Sequence, residues 1–183
     1  MPTPSRNLNT KLMLRALEAL DTKLKTSVRL IVGGGGAMAL AHNFPLSTTD
    51  IDAVPVGGMT IEELDPLIKQ VAQELSLAPD WLNPFYSSFA HVLPSNYGKR
   101  LIEVASFKLL KVSALSKEDL LIMKCFAARE KDVVHARALV KKGAVLSIVR
   151  DQIALLEGKR IPGSEKARKF LEELEAFFSE REE

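Results

Sequence analysis

The sequence predicts an α+β protein with a small mixed β-sheet flanked by helices and a helical C-terminal part. Two apolar runs rich in Val and Ile, residues 28–32 and 51–56, have the length and composition of buried strands. The last third of the chain instead repeats apolar residues at helical spacing. Sheets and amphipathic helices bury their apolar faces against each other, so these patterns predict a layered core. We expect residues 1–115 to form this core and residues 116–183 a helical subdomain.

Helices and strands alternate in the first part of the chain. The patterns predict, in order, a helix over 9–24, a strand over 28–32, a helix over 37–42 and a strand over 51–56. Thr60 is followed three residues later by Glu63, which is the pattern of a capping box. A third helix should therefore start at this point and end near Leu77, before a proline.

The second part of the chain carries three strand-like runs and then helices. The predicted elements are strands over 89–93, 100–106 and 107–114, and helices over 116–129 with a continuation to 140, over 146–156 and over 164–183. Ser116 is a suitable N-cap for the first of these helices. The terminal helix has one apolar stripe, for which we expect core packing, a partner interface being the alternative.

Composition restricts the class of protein. Of the 183 residues, 46% are hydrophobic and 26% charged, which is typical of a soluble globular protein. A formal net charge of +2 argues against a protein that coats nucleic acid through a broadly basic surface. The single cysteine, Cys125, excludes an internal disulfide and is expected to be a buried thiol. Without a membrane-spanning run or a secretion signal, we expect a cytoplasmic location and no membrane partner.

A glycine run follows the first predicted strand. Gly33 and Gly34 lead through two further glycines into a predicted helix of small residues. Residues without Cβ allow a ligand to approach the backbone closely, and the first turn of a helix offers unpaired N–H groups to an anion. This stretch therefore predicts a phosphate-binding bend. It lacks the Lys-Ser/Thr pair that would follow in a P-loop NTPase, so we do not favour that class.

Two carboxylates lie one residue apart in the second apolar run. Asp50 and Asp52 should project to the same side of a strand, with Cα atoms roughly 7 Å apart. Carboxylates this close repel each other unless a divalent cation neutralises them. Together with the preceding glycine bend, they predict a site for a nucleoside triphosphate and Mg²⁺, with Asp50 and Asp52 as metal ligands.

Two blocks of sequence resemble a known enzyme family. Gly33-Gly34, the small-residue helix and Thr48-Thr49-Asp50-Ile51-Asp52 resemble the signature of the polymerase-β-type nucleotidyltransferase superfamily. Their form is most similar to the minimal members that include AbiEii-like and MenT-like toxins. The segment from Leu115 to Lys124 and on to Asp132 is similar to that family's helical Glu-Asp-Leu…Lys…Ala-x-Arg-x-Lys-Asp block. The resemblance implies a nucleotidyltransferase core in residues 1–115.

The resemblance also implies roles for particular residues. A third catalytic carboxylate is expected on a neighbouring strand, and Glu103 is the best candidate, a solvent-facing charge being the alternative. Lys124 should contact nucleotide phosphates and Arg129 extend its charge. Asp132 should orient Lys124 or support the acceptor site. For these helical residues an exposed helix face is the competing explanation. Gly33, Gly34 and, as a supporting contact, Thr49 complete the nucleotide site.

The function implied is a Mg²⁺-dependent transfer of a nucleoside monophosphate from NTP to an RNA, with tRNA as one candidate, or to a protein hydroxyl. Resemblance to toxin-type members implies an antitoxin protein as a further partner. The alternative is a catalytically inactive nucleotide- or RNA-binding module with the same fold.

Overall fold

The computed structural model describes residues 7–181. The chain divides into two compact units. The first extends to Ser88 and also takes in Leu101–Leu115, and the second comprises Phe89–Arg100 and the chain from Ser116 onward. The α+β class predicted from the sequence is confirmed. Within 7–181, no helix combines the length and the apolar character that crossing a bilayer requires.

A mixed sheet forms the first unit. Its strands are β1 (Val28–Val32), β2 (Ile51–Pro55), β3 (Leu82–Asn83), β4 (Ile102–Ser106) and β5 (Leu110–Ala114). Within the described residues these five strands lie in the order β3-β2-β1-β5-β4. The central strand β1 is antiparallel to β2 and parallel to β5. β3 is parallel to β2, and β4 is antiparallel to β5. The metal-ligand candidates, Asp52 on β2 and Asp50 just before it, therefore lie beside the central strand of the sheet.

Three helices accompany this sheet: α1 (Thr10–Asp21), α2 (Gly34–His42) and α3 (Ile61–Leu75). The predicted capping box of α3 is present, since the N–H of Glu63 donates to Thr60 Oγ1 (3.3 Å) and the N–H of Thr60 donates to Glu63 Oε2 (2.7 Å). α2 begins earlier than predicted. Gly33 is its N-cap and accepts from the N–H of Ala37 (3.0 Å), so the glycines themselves form the first turn.

The strand predicted over 89–93 is wrong. Residues Phe85–Val92 form a 3₁₀ helix instead. The N–H of Ser87 donates to the carbonyl of Pro84 (2.9 Å), and the N–H of Leu93 donates to that of Ala90 (3.2 Å). Such local bonds satisfy the backbone within the segment, which is bracketed by Pro84 and Pro94, so its apolar residues do not join the sheet.

The second unit is built on four helices: α4 (Lys117–Ala127), α5 (Glu130–Lys141), α6 (Leu146–Gly158) and α7 (Ser164–Ser179). α4 packs against the other three. The predicted N-cap is confirmed, because the N–H of Asp119 donates to Ser116 Oγ (3.2 Å). The predicted continuation of this helix is wrong. Ala128 has φ +46° and ends α4, and α5 then begins after Arg129.

Two further predictions concern the interior of this unit. Cys125 is a buried free thiol, as predicted. Burial, reinforced by the negative charge of Asp132, raises the pKa of this thiol to about 12, so it stays protonated and unreactive at neutral pH. The apolar stripe of α7 packs against α4 and α6 through Ala167, Leu171 and Leu174, which confirms the expected core packing.

Candidate active site

The bend between β1 and α2 is in direct contact with Asp52. Gly34 has φ +55°, and a Cβ built on it would overlap the Oδ2 atom of Asp52 and lie 3.3 Å from its Cγ. The backbone N–H of Gly33 donates to the carbonyl of Asp52 (2.8 Å). Any side chain at Gly34 would be strained by the positive φ and would displace the carboxylate. The structure thus brings the predicted phosphate bend and a predicted metal ligand together.

Tyr86 packs against the other side of this bend. A Cβ on Gly33 would lie 2.8 Å from Cδ1 of the Tyr86 ring. The hydroxyl of Tyr86 donates to the carbonyl of Ile31 (3.0 Å) in β1, and the ring is buried. Gly33 is therefore buried under an aromatic ring and supports the shape of the bend, while Gly34 faces the carboxylate. Sequence reasoning missed Tyr86, which lies just before the stretch 89–93 that the sequence predicted as a strand.

Asp50 lies immediately before β2 and is half-buried. Its carboxylate accepts hydrogen bonds from Thr48 Oγ1 (3.2 Å) and Asn83 Nδ2 (2.8 Å). The neighbouring Thr49, predicted to contact phosphate, is an exposed bend residue. Asn83 is also the register partner of Asp52 across β2 and β3. Asn83 therefore contacts one predicted metal ligand through its side chain and lies opposite the other in the sheet register.

Sequence reasoning missed Asn83 as well. The strand that carries it, β3, has only two residues, which is too short to show a periodicity. The signal that could have identified it is the turn-forming Asn83-Pro84 dipeptide after a buried Trp81 and Leu82.

Asp50 lines an open cleft of about 570 Å³. Its other lining residues are one acidic residue, three polar residues, one aromatic residue and a proline: Asp80, Asn83, Ser87, Ser88, Phe85 and Pro84. The side chain of Phe85 is 65% exposed. This volume lies within the range of small-molecule binding sites.

The donor set at Asp50 and Asp52 fits Mg²⁺ that is bound together with a substrate. Among residues 7–181, no group of three or more His, Cys, Asp or Glu side chains is placed to hold a metal ion. Mg²⁺ in phosphoryl-transfer sites is commonly held by one or two carboxylates, with waters and substrate phosphates as its remaining ligands. Two aspartates beside the predicted phosphate-binding bend match that pattern, whereas an all-protein metal cage would need more ligands.

Glu103, the predicted third carboxylate, is not brought to this pair. It lies on β4, where it is exposed and opposite Ser113 of β5. Because β1 and β5 separate β4 from β2, about 14 Å of sheet lies between the strands that carry Glu103 and Asp52. Its position agrees with the solvent-facing alternative.

Lys124, Arg129 and Asp132 come together in the second unit. Lys124 Nζ donates to Asp132 Oδ1 (2.8 Å), and Arg129 Nε donates to Asp132 Oδ2 (2.8 Å). The carboxylate of Asp132 is fully buried, and the side chain of Lys124 is 8% exposed. The competing explanation of an exposed helix face is therefore wrong for Lys124 and Asp132. The side chain of Arg129 is half-exposed and forms an ion pair with the Asp132 carboxylate.

Opposing effects act on the pKa of Asp132. Burial on its own would raise this pKa, but the hydrogen bonds from Arg129 and Lys124 outweigh burial and hold it at about 2. Asp132 is therefore ionised at neutral pH. Two cations and one carboxylate leave the cluster with a net charge of +1.

Comparison with known proteins gives one family. Residues 11–153 match the family described as "nucleotidyltransferase of unknown function (DUF6036)". The matched range includes the glycine bend, both Asp50 and Asp52, and the Lys124–Asp132 pair. No curated protein and no solved structure matches the chain significantly.

Proposed function

We propose that this chain, which belongs to the DUF6036 family of nucleotidyltransferases, transfers a nucleoside monophosphate from an NTP to a hydroxyl group with the help of Mg²⁺. The observation that carries the proposal is the contact between Gly34, in the first turn of α2, and the carboxylate of Asp52. It places a helix N-terminus, which favours phosphate, beside a carboxylate, which favours a divalent cation. Asp50 adds a second carboxylate two residues away.

In the proposed reaction, the oxygen of the acceptor hydroxyl forms a bond to the α-phosphorus of the NTP. The bond from that phosphorus to the bridging β-phosphate oxygen breaks, and pyrophosphate and a proton are released. Asp50 and Asp52 would hold Mg²⁺, which when bound would neutralise phosphate charge during this step. The N–H groups in the first turn of α2 would bind phosphate oxygens, and Asn83 would keep the Asp50 carboxylate in place.

The Lys124–Asp132–Arg129 cluster supports a separate proposal for phosphate binding. Its net positive charge would favour an anion, and Asp132 would orient both cations. This role agrees with the family resemblance of the helical block. Replacement of Lys124 by Met should weaken anion binding at this cluster while Arg129 still pairs with the buried Asp132.

We propose as acceptor an RNA, with tRNA as one candidate, or a protein hydroxyl, and the role of toxin in a toxin–antitoxin pair. Similarity to the AbiEii-like and MenT-like enzymes supports these proposals. If they hold, induced expression should arrest growth of a bacterial host and Asp52→Asn should abolish the arrest. Normal growth with an active, well-expressed enzyme would overturn the toxin role.

Labelling tests the transferase activity directly. The chain is incubated with each α-³²P-labelled NTP, with Mg²⁺ or EDTA, and with total cellular RNA or protein. We expect a labelled macromolecule only with Mg²⁺, and its loss in Asp50→Asn and Asp52→Asn. Asp65→Asn, which removes an exposed carboxylate on α3, is the matched control and should keep wild-type labelling. Full labelling by Asp52→Asn would overturn the proposal.

A catalytically silent nucleotide-binding module is the second candidate. The observation that favours it is the lack, among residues 7–181, of a third acidic side chain grouped with Asp50 and Asp52. A silent module would bind NTP in a titration without releasing pyrophosphate, whatever acceptor is supplied.

A further inference from the structure

Phe85 is an aromatic side chain displayed at the cleft beside Asp50. At 65% exposure, it is the most exposed large hydrophobic residue in the described part of the chain. Burial of a Phe ring is normally favourable, and this ring instead lines an open cleft together with a predicted metal ligand. The location of the ring, rather than its exposure alone, points to a ligand.

Three hydrogen bonds fix the backbone of the segment that carries this ring. The N–H of Phe85 donates to Asn83 Oδ1 (3.0 Å), and its carbonyl accepts from Ser88 Oγ (3.0 Å). The N–H of Ser87 donates to the carbonyl of Pro84 (2.9 Å). The backbone position of Phe85 is thus set before a ligand binds, which reduces the entropic cost of ordering this segment on binding.

Asn83 joins this segment to the proposed metal site. Its Oδ1 accepts from the N–H of Phe85, while its Nδ2 donates to Asp50 Oδ2 (2.8 Å). A single amide therefore sets both the start of the aromatic segment and the orientation of the carboxylate. A molecule that binds a cation at Asp50 is then close to the segment that displays the ring.

The charges of the cleft indicate which part of a nucleotide fits there. Asp50 and Asp80 line it, and none of its lining residues is Lys, Arg or His. Phosphates would be repelled except where a cation at Asp50 offsets the carboxylate. A nucleobase is neutral and has flat faces that stack on aromatic rings.

We propose that Phe85 is a stacking platform for the base of the bound NTP. This inference rests on the proposed function and extends it to the recognition of the base. Every base has a π-face, and both ends of the Asn83 amide are already hydrogen-bonded within the protein. The platform therefore binds purines and pyrimidines alike, and we expect Kd values for ATP, GTP, CTP and UTP within about threefold of one another.

Calorimetric titration in the presence of Mg²⁺ tests the platform. The ligands are the four NTPs and inorganic tripolyphosphate, which has the phosphates without a base. The proteins are the wild-type chain, Phe85→Ala, Phe85→Trp and the control Leu155→Ala, which removes another exposed apolar side chain, 51% exposed on α6. We expect Phe85→Ala to raise the Kd of every NTP about tenfold and to leave that of tripolyphosphate unchanged. Phe85→Trp and Leu155→Ala should bind like the wild type.

Each contrary result has a distinct meaning. If Phe85→Ala bound NTP within twofold of the wild-type affinity, the platform would be overturned. It would also be overturned if Phe85→Ala lost as much affinity for tripolyphosphate as for NTP, because the substitution would then have damaged the phosphate site. If Phe85→Ala failed to fold, Phe85→Leu would decide, since it keeps apolar bulk without a π-face; wild-type NTP affinity in that variant would overturn the proposal. A wild-type chain that binds no NTP would remove the proposed function as well. If the wild-type chain transferred nucleotides and Phe85→Ala bound NTP as tightly as the wild type, only the platform would be ruled out.

Discussion

The carboxylate of Asp52 lies in the space that a side chain on Gly34 would occupy. Gly34 also has φ +55°, which L-residues adopt only with strain. Two separate requirements, backbone conformation and space, thus call for glycine at this position. The glycine in the first turn of α2 and the aspartate on β2 are therefore parts of one arrangement, although the loop after His42 separates their elements in the chain.

Replacement of Gly34 by Ala should damage the site more than the fold. The strained φ costs about 1–2 kcal/mol of stability, and the displaced Asp52 carboxylate should lower nucleotidyl transfer about 100-fold. Labelling rates and urea unfolding measure the two effects. Gly158→Ala is the control, because a Cβ on that residue at the end of α6 meets nothing within 4 Å. Full activity in Gly34→Ala would contradict the proposed role of this contact.

Asn83 should act as a positioning residue. Replacement by Ala removes the hydrogen bond to Asp50 Oδ2 and the one to the N–H of Phe85. We expect the Mg²⁺ concentration for half-maximal transfer to rise, together with a fall in rate of about tenfold, because a hydrogen bond to a charged group contributes about 1.5–3 kcal/mol. The exposed Asn96, which pairs with Arg100, provides the control Asn96→Ala. An unchanged Mg²⁺ dependence would mean that Asn83 has a structural role alone.

Glu103 provides a test of the strand order. On the edge strand β4, with β1 and β5 between it and β2, it is exposed and remote from Asp52. Glu103→Gln should therefore keep labelling within about twofold of wild type, since an exposed surface change rarely matters by more than about 0.5 kcal/mol. Loss of transfer as complete as in Asp52→Asn would instead restore Glu103 as a catalytic carboxylate.

Stability should depend on pH through Asp132. Its pKa is about 2 in the folded chain against the ordinary 3.8, so its contribution is fully present above about pH 5 and is lost as the pH falls through 2. This shift corresponds to about 2 kcal/mol. Urea unfolding of wild type and Asp132→Asn at pH 6 and pH 2 measures it, and the difference between the two proteins should shrink by that amount at pH 2.

A matched variant tests whether this effect is local to the cluster. Asp65 is an exposed partner of Lys69 on α3. The stability difference between wild type and Asp65→Asn should stay within about 0.5 kcal/mol at both pH values, because exposed ion pairs contribute little. If Asp132→Asn behaved in the same way, the buried ion pair with Lys124 would not hold in solution.

Local chemistry determined much of this structure from the sequence by itself. The strand at 28–32 depends on a short run of apolar, mostly β-branched residues, and the capping box at Thr60 and the N-cap at Ser116 depend on hydrogen bonds over three residues. Both signals can be read in a short window. The glycine bend and the Asp50 and Asp52 pair could also be identified in short stretches of sequence, and their spacing along the chain already implied a shared site.

Tertiary structure decided which distant elements became neighbours. Strand pairing joins residues far apart in sequence, so only the order β3-β2-β1-β5-β4 brought Asn83 to Asp52 and kept Glu103 away from both. The two-residue strand β3 has no periodicity of its own and forms because β2 offers a free edge for hydrogen bonding. Tertiary packing likewise decided between the two interpretations of Lys124 and Asp132, because they form a buried ion pair and do not lie on an exposed helix face. The free energy of pairing and burial comes from contacts between separate segments, and no short window of sequence contains it.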